Sequence, residues 1–177
     1  MTKIVIIHGN GGCTGNDVWI PWLKRELEKH KVKVLTPTMP DNFEAKGSVW
    51  LPYMKNVLQC DEKTVVIGHS SGAVAAMRYA EQNKLLGSVL VGACYTDLGY
   101  ESERISGYYD TPWQWEKIKN NQSWIVQLAS QDDPFIPVQE ARYISKQLGS
   151  EYYEFGDQGH FQNREVDEML RVVLEKI

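Results

Sequence analysis

The sequence predicts an α/β fold: a six-stranded, mainly parallel sheet with helices on both faces. Three observations predict it. Short runs of apolar, often β-branched residues alternate with longer stretches of helical periodicity along the whole chain, the signature of repeated strand–helix units. The first run, Lys3-Ile4-Val5-Ile6-Ile7, is nearly continuous in apolar residues, as in a strand covered on both sides. Two glycine-bearing loops follow the first and third runs. With the strand order 2-1-3-4-5-6 both would meet where the chain reverses direction, the crevice in which such sheets bind ligands.

A length of 177 residues suits a single domain, residues 1–177, with a substantial core. The first strand ends in His8-Gly9-Asn10-Gly11-Gly12. These glycines let the backbone run close to a ligand, but their spacing matches neither a dinucleotide fingerprint nor a phosphate loop with its lysine. Asp17 is placed to cap the first helix, which carries Trp19, Leu23 and Leu27 and tolerates Pro21 in its first turn. Val32-Lys33-Val34-Leu35 alternates like an edge strand, closed by Pro37 and Pro40. Ser48 is the expected cap of a second helix bearing Trp50, Met54, Val57 and Leu58, with Pro52 near its start.

Thr64-Val65-Val66-Ile67 reads as the third strand, and Ala73 to Ala80 as a helix that can lie close to the sheet. Ser88-Val89-Leu90-Val91 is the fourth strand. The stretch from Gly92 to Asp110 has no periodicity and carries Tyr95, Tyr100, Tyr108 and Tyr109; connections this long often bind or cover a ligand. Thr111-Pro112-Trp113-Gln114 reads as a helix start, with Thr as cap and Pro in the first position. Trp124 to Leu128 is a strand. Val138 to Leu148 is a helix stopped by Gly149, and Glu151 to Phe155 is the last strand. Glu165 to Ile177 closes the chain as a helix with Val166, Met169, Leu170, Val173 and Leu174 on one face.

Hydrophobic residues at 42% and charged residues at 24% are ordinary for a soluble domain. The net charge of −4, without a long run of one sign, argues against a nucleic-acid or membrane surface. No apolar stretch reaches membrane length, and no leader is legible before the first strand. Cys13, Cys60 and Cys94 are odd in number and form no C-x-x-C, which fits reduced thiols. The expected location is the cytoplasm, with the nucleus as a second compartment, and a monomer is the simplest state.

The chain is organised around Gly68-His69-Ser70-Ser71-Gly72. G-x-S-x-G between a strand and a helix is the context of a nucleophile elbow. The turn is so sharp that bulky side chains two residues before or after the serine would collide. It lifts the Ser70 hydroxyl from the sheet edge and aims the Ser71 N–H at an oxyanion. The natural second oxyanion donor is the Asn10 N–H.

A serine nucleophile needs a base, and the base an acid. Of four histidines, His8 and His69 end strands and read as packed, hydrogen-bonded residues, and His30 reads as solvated. His160, in Gly159-His160-Phe161 after the last strand, suits the base. For the acid, Asp132 and Asp133 compete after the fifth strand. Asp133, which opens Asp-Pro-Phe-Ile-Pro, is favoured, and Asp157 would have to reach back from the histidine's own loop. The chain order Ser, Asp, His is that of α/β-hydrolases. Tyr95, Tyr108, Trp113 and Trp115 are the candidates to line a substrate pocket. The acids Asp97, Glu101, Glu103 and Asp110 of the long loop raise the prospect of a cationic substrate group. No metal or organic cofactor is called for.

Leu51-Pro52, Asp61-Glu62-Lys63, Gly68 to Ala73, Ala75 to Ala80, Pro112 to Lys119, Asp132 to Phe135 and Gly159 to Asn163 together resemble the retinoblastoma-binding protein 9-like serine hydrolases of the α/β-hydrolase superfamily. The likeness spans essentially the whole chain. It departs at His8-Gly9, where Pro-Gly is expected. The resemblance implies Ser70, Asp133 and His160 as the triad and a compact sheet without the two opening strands of larger hydrolases. It also directs attention to Leu58-Gln59-Cys60-Asp61-Glu62, an L-x-C-x-E pattern like that used to dock on a retinoblastoma-type pocket. Leu58, Cys60 and Glu62 would carry that contact, but such a motif binds as an extended peptide, and Leu58 falls on the apolar face of the second helix. The expected activity is hydrolysis of a small ester or amide; the alternative is an interaction module that binds through this segment.

Overall fold

The structure, a computed structural model, describes residues 2–177. Strands β1 (Lys3–Ile7), β2 (Lys33–Leu35), β3 (Thr64–His69), β4 (Gly87–Val91), β5 (Trp124–Ser130) and β6 (Glu151–Phe155) form one sheet. Its order is β2-β1-β3-β4-β5-β6, and every neighbouring pair is parallel. The helices are α1 (Ile20–Lys29), α2 (Gly47–Asn56), α3 (Ser71–Ala80), α4 (Glu101–Arg104), α5 (Trp115–Asn120), α6 (Val138–Leu148) and α7 (Asp167–Lys176).

The two-residue period of a strand divides the apolar residues into two cores. Ile4 and Ile6 of β1 join Val65 and Ile67 of β3 beneath Leu23 and Leu27 of α1 and Met169 and Val173 of α7. Val5 and Ile7 turn to the other face, with Trp50 and Met54 of α2, the alanines of α3, and Ile144 and Leu148 of α6. Helix α3 is buried along its full length. Its small side chains let it lie near the sheet and fix where its first residue points.

Several element ends differ from the sequence expectation. Asp17 does not cap α1: its carboxylate accepts the Thr14 N–H at 2.6 Å, and Trp19 occupies the cap position without a side-chain bond. Ser48 lies inside α2 rather than before it, Pro52 is in the helix interior, and Val57 and Leu58 fall beyond its end. Ser48 is exposed, so water can serve the carbonyl that Pro52 deprives of a partner. Within the stretch 92–110 a single turn, α4, is helical. The last helix begins at Asp167, with Val166 as its cap residue.

The largest displacement is at α5, which begins at Trp115 instead of after Thr111. The cause is a buried ion pair at the C-terminal end of α3. Arg78 and Glu81 lie 2.7 Å apart with side chains only 6% and 7% exposed. Buried charges need further hydrogen bonds. Arg78 therefore takes the carbonyls of Tyr108, Thr111 and Pro112, while Glu81 accepts the Gln114 N–H. Backbone that would have started the helix solvates the pair, and the Trp113 ring covers the guanidinium, with Arg78 Cζ 3.6 Å from the ring centroid.

Candidate active site

Ser70 links β3 to α3 with φ 55° and ψ −119°, a conformation costly for any residue with a side chain and persistent only where packing enforces it. The enforcement is steric. A Cβ on Gly68 would lie 2.3 Å from the Gly72 carbonyl oxygen, and one on Gly72 would lie 2.3 Å from that of Ile7. Both contacts are with backbone. Ser71 opens α3, where N–H groups have no helical partner. Across the crevice, the loop after β1 lies against the elbow: a Cβ on Gly9 would be 3.3 Å from that of Ser70. The Asn10 side chain donates to Glu103 Oε1 at 2.7 Å, while its backbone N–H has no hydrogen-bond acceptor among the described residues.

His160 and Asp133 come from the loops after β6 and β5. His160 Nδ1 donates to Asp133 Oδ2 at 2.7 Å, with side chains 9% and 3% exposed. The other oxygen, Oδ1, accepts the N–H groups of Phe135 and Ile136 at 2.9 and 3.0 Å, so the carboxylate is fixed from both sides. Asp132 turns away from the imidazole and bonds Ser130 and the Gly159 N–H. Asp157 is exposed and meets only the neighbouring Gln158 side chain. Ser70 Oγ has no hydrogen bond to His160 in this structure; such links are commonly long in unliganded sites and tighten with substrate.

The other histidines are packed or solvated. His8 Nδ1 donates to the Gly9 carbonyl at 2.7 Å, and Nε2 accepts the Met39 N–H at 2.8 Å. That arrangement requires the neutral ring, and burial lowers its pKa. His69 Nε2 donates to the His160 carbonyl at 2.8 Å, and burial pushes its pKa down to about 4. His30 is exposed after α1.

Ser70 and His160 line one cavity of about 340 Å³. Its walls are Gly9, Asn10 and Val18 on one side, Leu98, Tyr100 and Glu103 on another, and Phe135 and Ile136 beside the histidine. Tyr95, Tyr108, Trp113 and Trp115 are not among its walls. Tyr95 stacks on Tyr143 with ring centroids 4.2 Å apart. Trp113 and Trp115 stack on each other at 5.4 Å, above the Arg78 pair. Tyr108 is buried beneath Gly47. These four aromatics pack beside the cavity, whereas Tyr100 of the long loop lines it. Of the four acids in the long loop, only Glu103 reaches the cavity, where Asp17 joins it. Sequence reasoning missed Phe135 and Ile136, although their place two and three residues after Asp133 was the signal that could have found them.

The L-x-C-x-E segment is not presented as an extended peptide. Leu58 and Cys60 are buried in the core beneath α3, and Glu62 is exposed. Gln59 between them has φ 51°, and the Cys60 carbonyl receives the Tyr79 hydroxyl at 2.6 Å. Burial pushes the Cys60 thiol up to about 12. Displaying both side chains to a partner would expose core.

A family profile for serine hydrolases matches residues 4–169. The chain belongs to the serine hydrolase family. Like its relatives it is a hydrolase. It is 50% identical to serine hydrolase RBBP9 of Rattus norvegicus, over 97% of this chain and 94% of that protein. It is 26% identical to the putative hydrolase YdeN of Bacillus subtilis, over 99% of this chain and 94% of that one. The crystal structure of the ydeN gene product matches with a TM-score of 0.92 at 23% identity, covering 99% and 98% of the two chains. Est1E of Butyrivibrio proteoclasticus, solved with ferulic acid, matches at 0.80 and 13% identity, covering 99% and 87%. These two structures share the fold, an α/β-hydrolase sheet, with this serine hydrolase.

Proposed function

We propose that this serine hydrolase cleaves small esters or amides through Ser70, His160 and Asp133. The observation that carries the reading is the 2.7 Å bond from His160 Nδ1 to Asp133 Oδ2, on the wall of the cavity that Ser70 also lines. It leaves His160 Nε2 as the ring's free nitrogen. Ser70 Oγ attacks the substrate carbonyl carbon while His160 Nε2 takes its proton. The N–H groups of Ser71 and Asn10 hold the developing oxyanion. Collapse breaks the bond to the alcohol or amine, which leaves with the proton from His160. Water then attacks the acyl-enzyme, gives its proton to His160, and releases the acid and the Ser70 hydroxyl. Asp133 fixes the tautomer and stabilises the imidazolium throughout.

The cavity walls favour an amine-bearing substrate over an anionic one. Asp17 and Glu103 line it, and neither lysine nor arginine does; opposite charges a few ångströms apart attract even in a partly wet site. Intact mass after exposure to a fluorophosphonate tests the chemistry: one adduct on the native enzyme, none on Ser70→Ala or His160→Ala. A full adduct on Ser70→Ala would remove Ser70 from the mechanism. Paired esters with neutral and amine-bearing acyl groups test the walls, with an expected preference of about tenfold in kcat/KM for the amine; equal rates would discard that preference.

A further inference from the structure

The two carboxylates that compete in the sequence are both engaged in this site, but only Asp133 touches the imidazole. Asp132 Oδ1 accepts the Ser130 hydroxyl at 2.6 Å and the Gly159 N–H at 2.8 Å. Ser130 Oγ in turn accepts the Gln158 N–H at 2.9 Å. The end of β5 therefore grips two successive N–H groups just before His160. From the opposite side, His69 donates Nε2–H to the His160 carbonyl at 2.8 Å, and the two rings lie 4.9 Å apart. Side chains from β3, from the end of β5 and from the loop after it hold the backbone at and just before the imidazole.

This backbone needs holding. Gly159 and Phe161, the two neighbours of His160, have φ of 51° and 52°. For a residue as large as phenylalanine that region is strained and persists only where the surrounding structure enforces it. Phe161 is fully buried against Phe155, which anchors the loop's far end in the core. Without the Asp132 carboxylate, the near end would lose the acceptor for the Gly159 N–H, directly before the imidazole, and Ser130, which holds the Gln158 N–H, would lose the partner that orients its hydroxyl. A loop that relaxed would move the imidazole, and displacements near an ångström cost up to about a hundredfold in rate.

We propose that Asp132 is a positioning residue for His160: with Ser130 and His69 it fixes the backbone flanking the imidazole and so sets the reach of Nε2 toward Ser70. This rests on the reading of His160 as the base. Asp132 is exposed, so removing its carboxylate should spare the fold while loosening the loop.

The test compares Asp132→Ala with Asp132→Asn, which keeps an acceptor oxygen in place. Asp132→Ala should lower kcat about 10–100-fold, leave KM within about twofold, and slow fluorophosphonate labelling in proportion, with thermal stability near native. Asp132→Asn should recover most of the rate. In proton NMR the downfield resonance of the His160 Nδ1 proton should be sharp in the native enzyme and broadened in Asp132→Ala alone. A native kcat in Asp132→Ala overturns the proposal. So does an equal loss in both variants that tracks a fall in melting temperature, because that marks a residue that only keeps the fold. Ser70→Ala and His160→Ala, run alongside, separate the cases. If both still turn over, the triad reading fails; if both are dead and Asp132→Ala is native, only the positioning role fails.

Discussion

Ser70 and His160 reach the same cavity by opposite means. The serine is held by exclusion: Gly68, Gly72 and the backbone of β1 leave no room for any other path, and α3 is buried over its whole length. The histidine is held by attachment. Its loop is tied through Asp133, Asp132, Ser130 and His69, each by a hydrogen bond that another residue could supply. Exclusion demands particular residues at particular spacings, whereas attachment demands only that a polar atom arrive in the right place. The serine side should therefore fail by unfolding when altered, and the histidine side by losing activity while staying folded.

The sharpest check of that contrast is Asp133→Asn. The amide oxygen can still accept from Phe135 and Ile136, so stability should hardly change. The amide nitrogen would face Nδ1 and enforce the wrong imidazole tautomer. A loss of about 10³–10⁴ in kcat is expected with melting within a few degrees of native. A loss below tenfold would move the acid elsewhere.

Gly72→Ala tests the other side. The added methyl would sit 2.3 Å from the Ile7 carbonyl oxygen, and neither a central strand nor a buried helix can yield cheaply. Destabilisation of about 3–5 kcal/mol is expected, or on the order of 10 °C in melting temperature for a chain of this size. Native melting would show that the elbow is not defined by close packing.

The same distinction explains what the sequence makes legible. The strand order and the elbow are readable because buried strands and tight turns restrict residue type at every position. Asp133 and His160 were findable because a carboxylate and a histidine follow the last two strands, and the Asp-Pro-Phe-Ile-Pro that Asp133 opens favoured it over Asp132; in the structure Asp133 meets the imidazole and Asp132 bonds Ser130 and Gly159 instead. The start of α5 was not readable, because Thr111 and Pro112 satisfy local capping rules while their carbonyls serve Arg78, more than thirty residues earlier in sequence. Nor was the pocket. Its walls come from loops after several strands, and aromatic content drew attention to Tyr95, Tyr108, Trp113 and Trp115, which pack elsewhere.

His69 stands where the two modes meet, and it gives the stability a pH dependence. Its pKa in the folded protein is about 4, below the 6.5 of a free histidine. Between those values the unfolded chain takes up a proton that the folded one refuses, so stability is full above about pH 6.5 and falls as pH drops toward 4. The slope from this one residue is about 1.4 kcal/mol per pH unit, reaching about 3 kcal/mol in all. His69→Gln keeps a donor for the His160 carbonyl and removes the titration. Urea midpoints between pH 7 and 5 should fall for the native protein and stay flatter for the variant; parallel curves would show that His69 is not the group responsible.

The smallest effects separate the cavity from the aromatic cluster beside it. Phe135 is half-exposed at the mouth, with its ring 5.2 Å from that of His160. A substrate that covered that face would gain about 1 kcal/mol, so Phe135→Ala should raise KM roughly fivefold and leave kcat nearly native. Trp115 is of similar size but rests on Trp113 and Tyr95, off the cavity wall. Trp115→Ala should change kcat/KM by less than about twofold, its cost appearing as lost packing instead. The reverse pattern, with Trp115 controlling KM and Phe135 silent, would mean that substrate enters over the segment that carries α4 and α5, and that the tryptophans line its path after all.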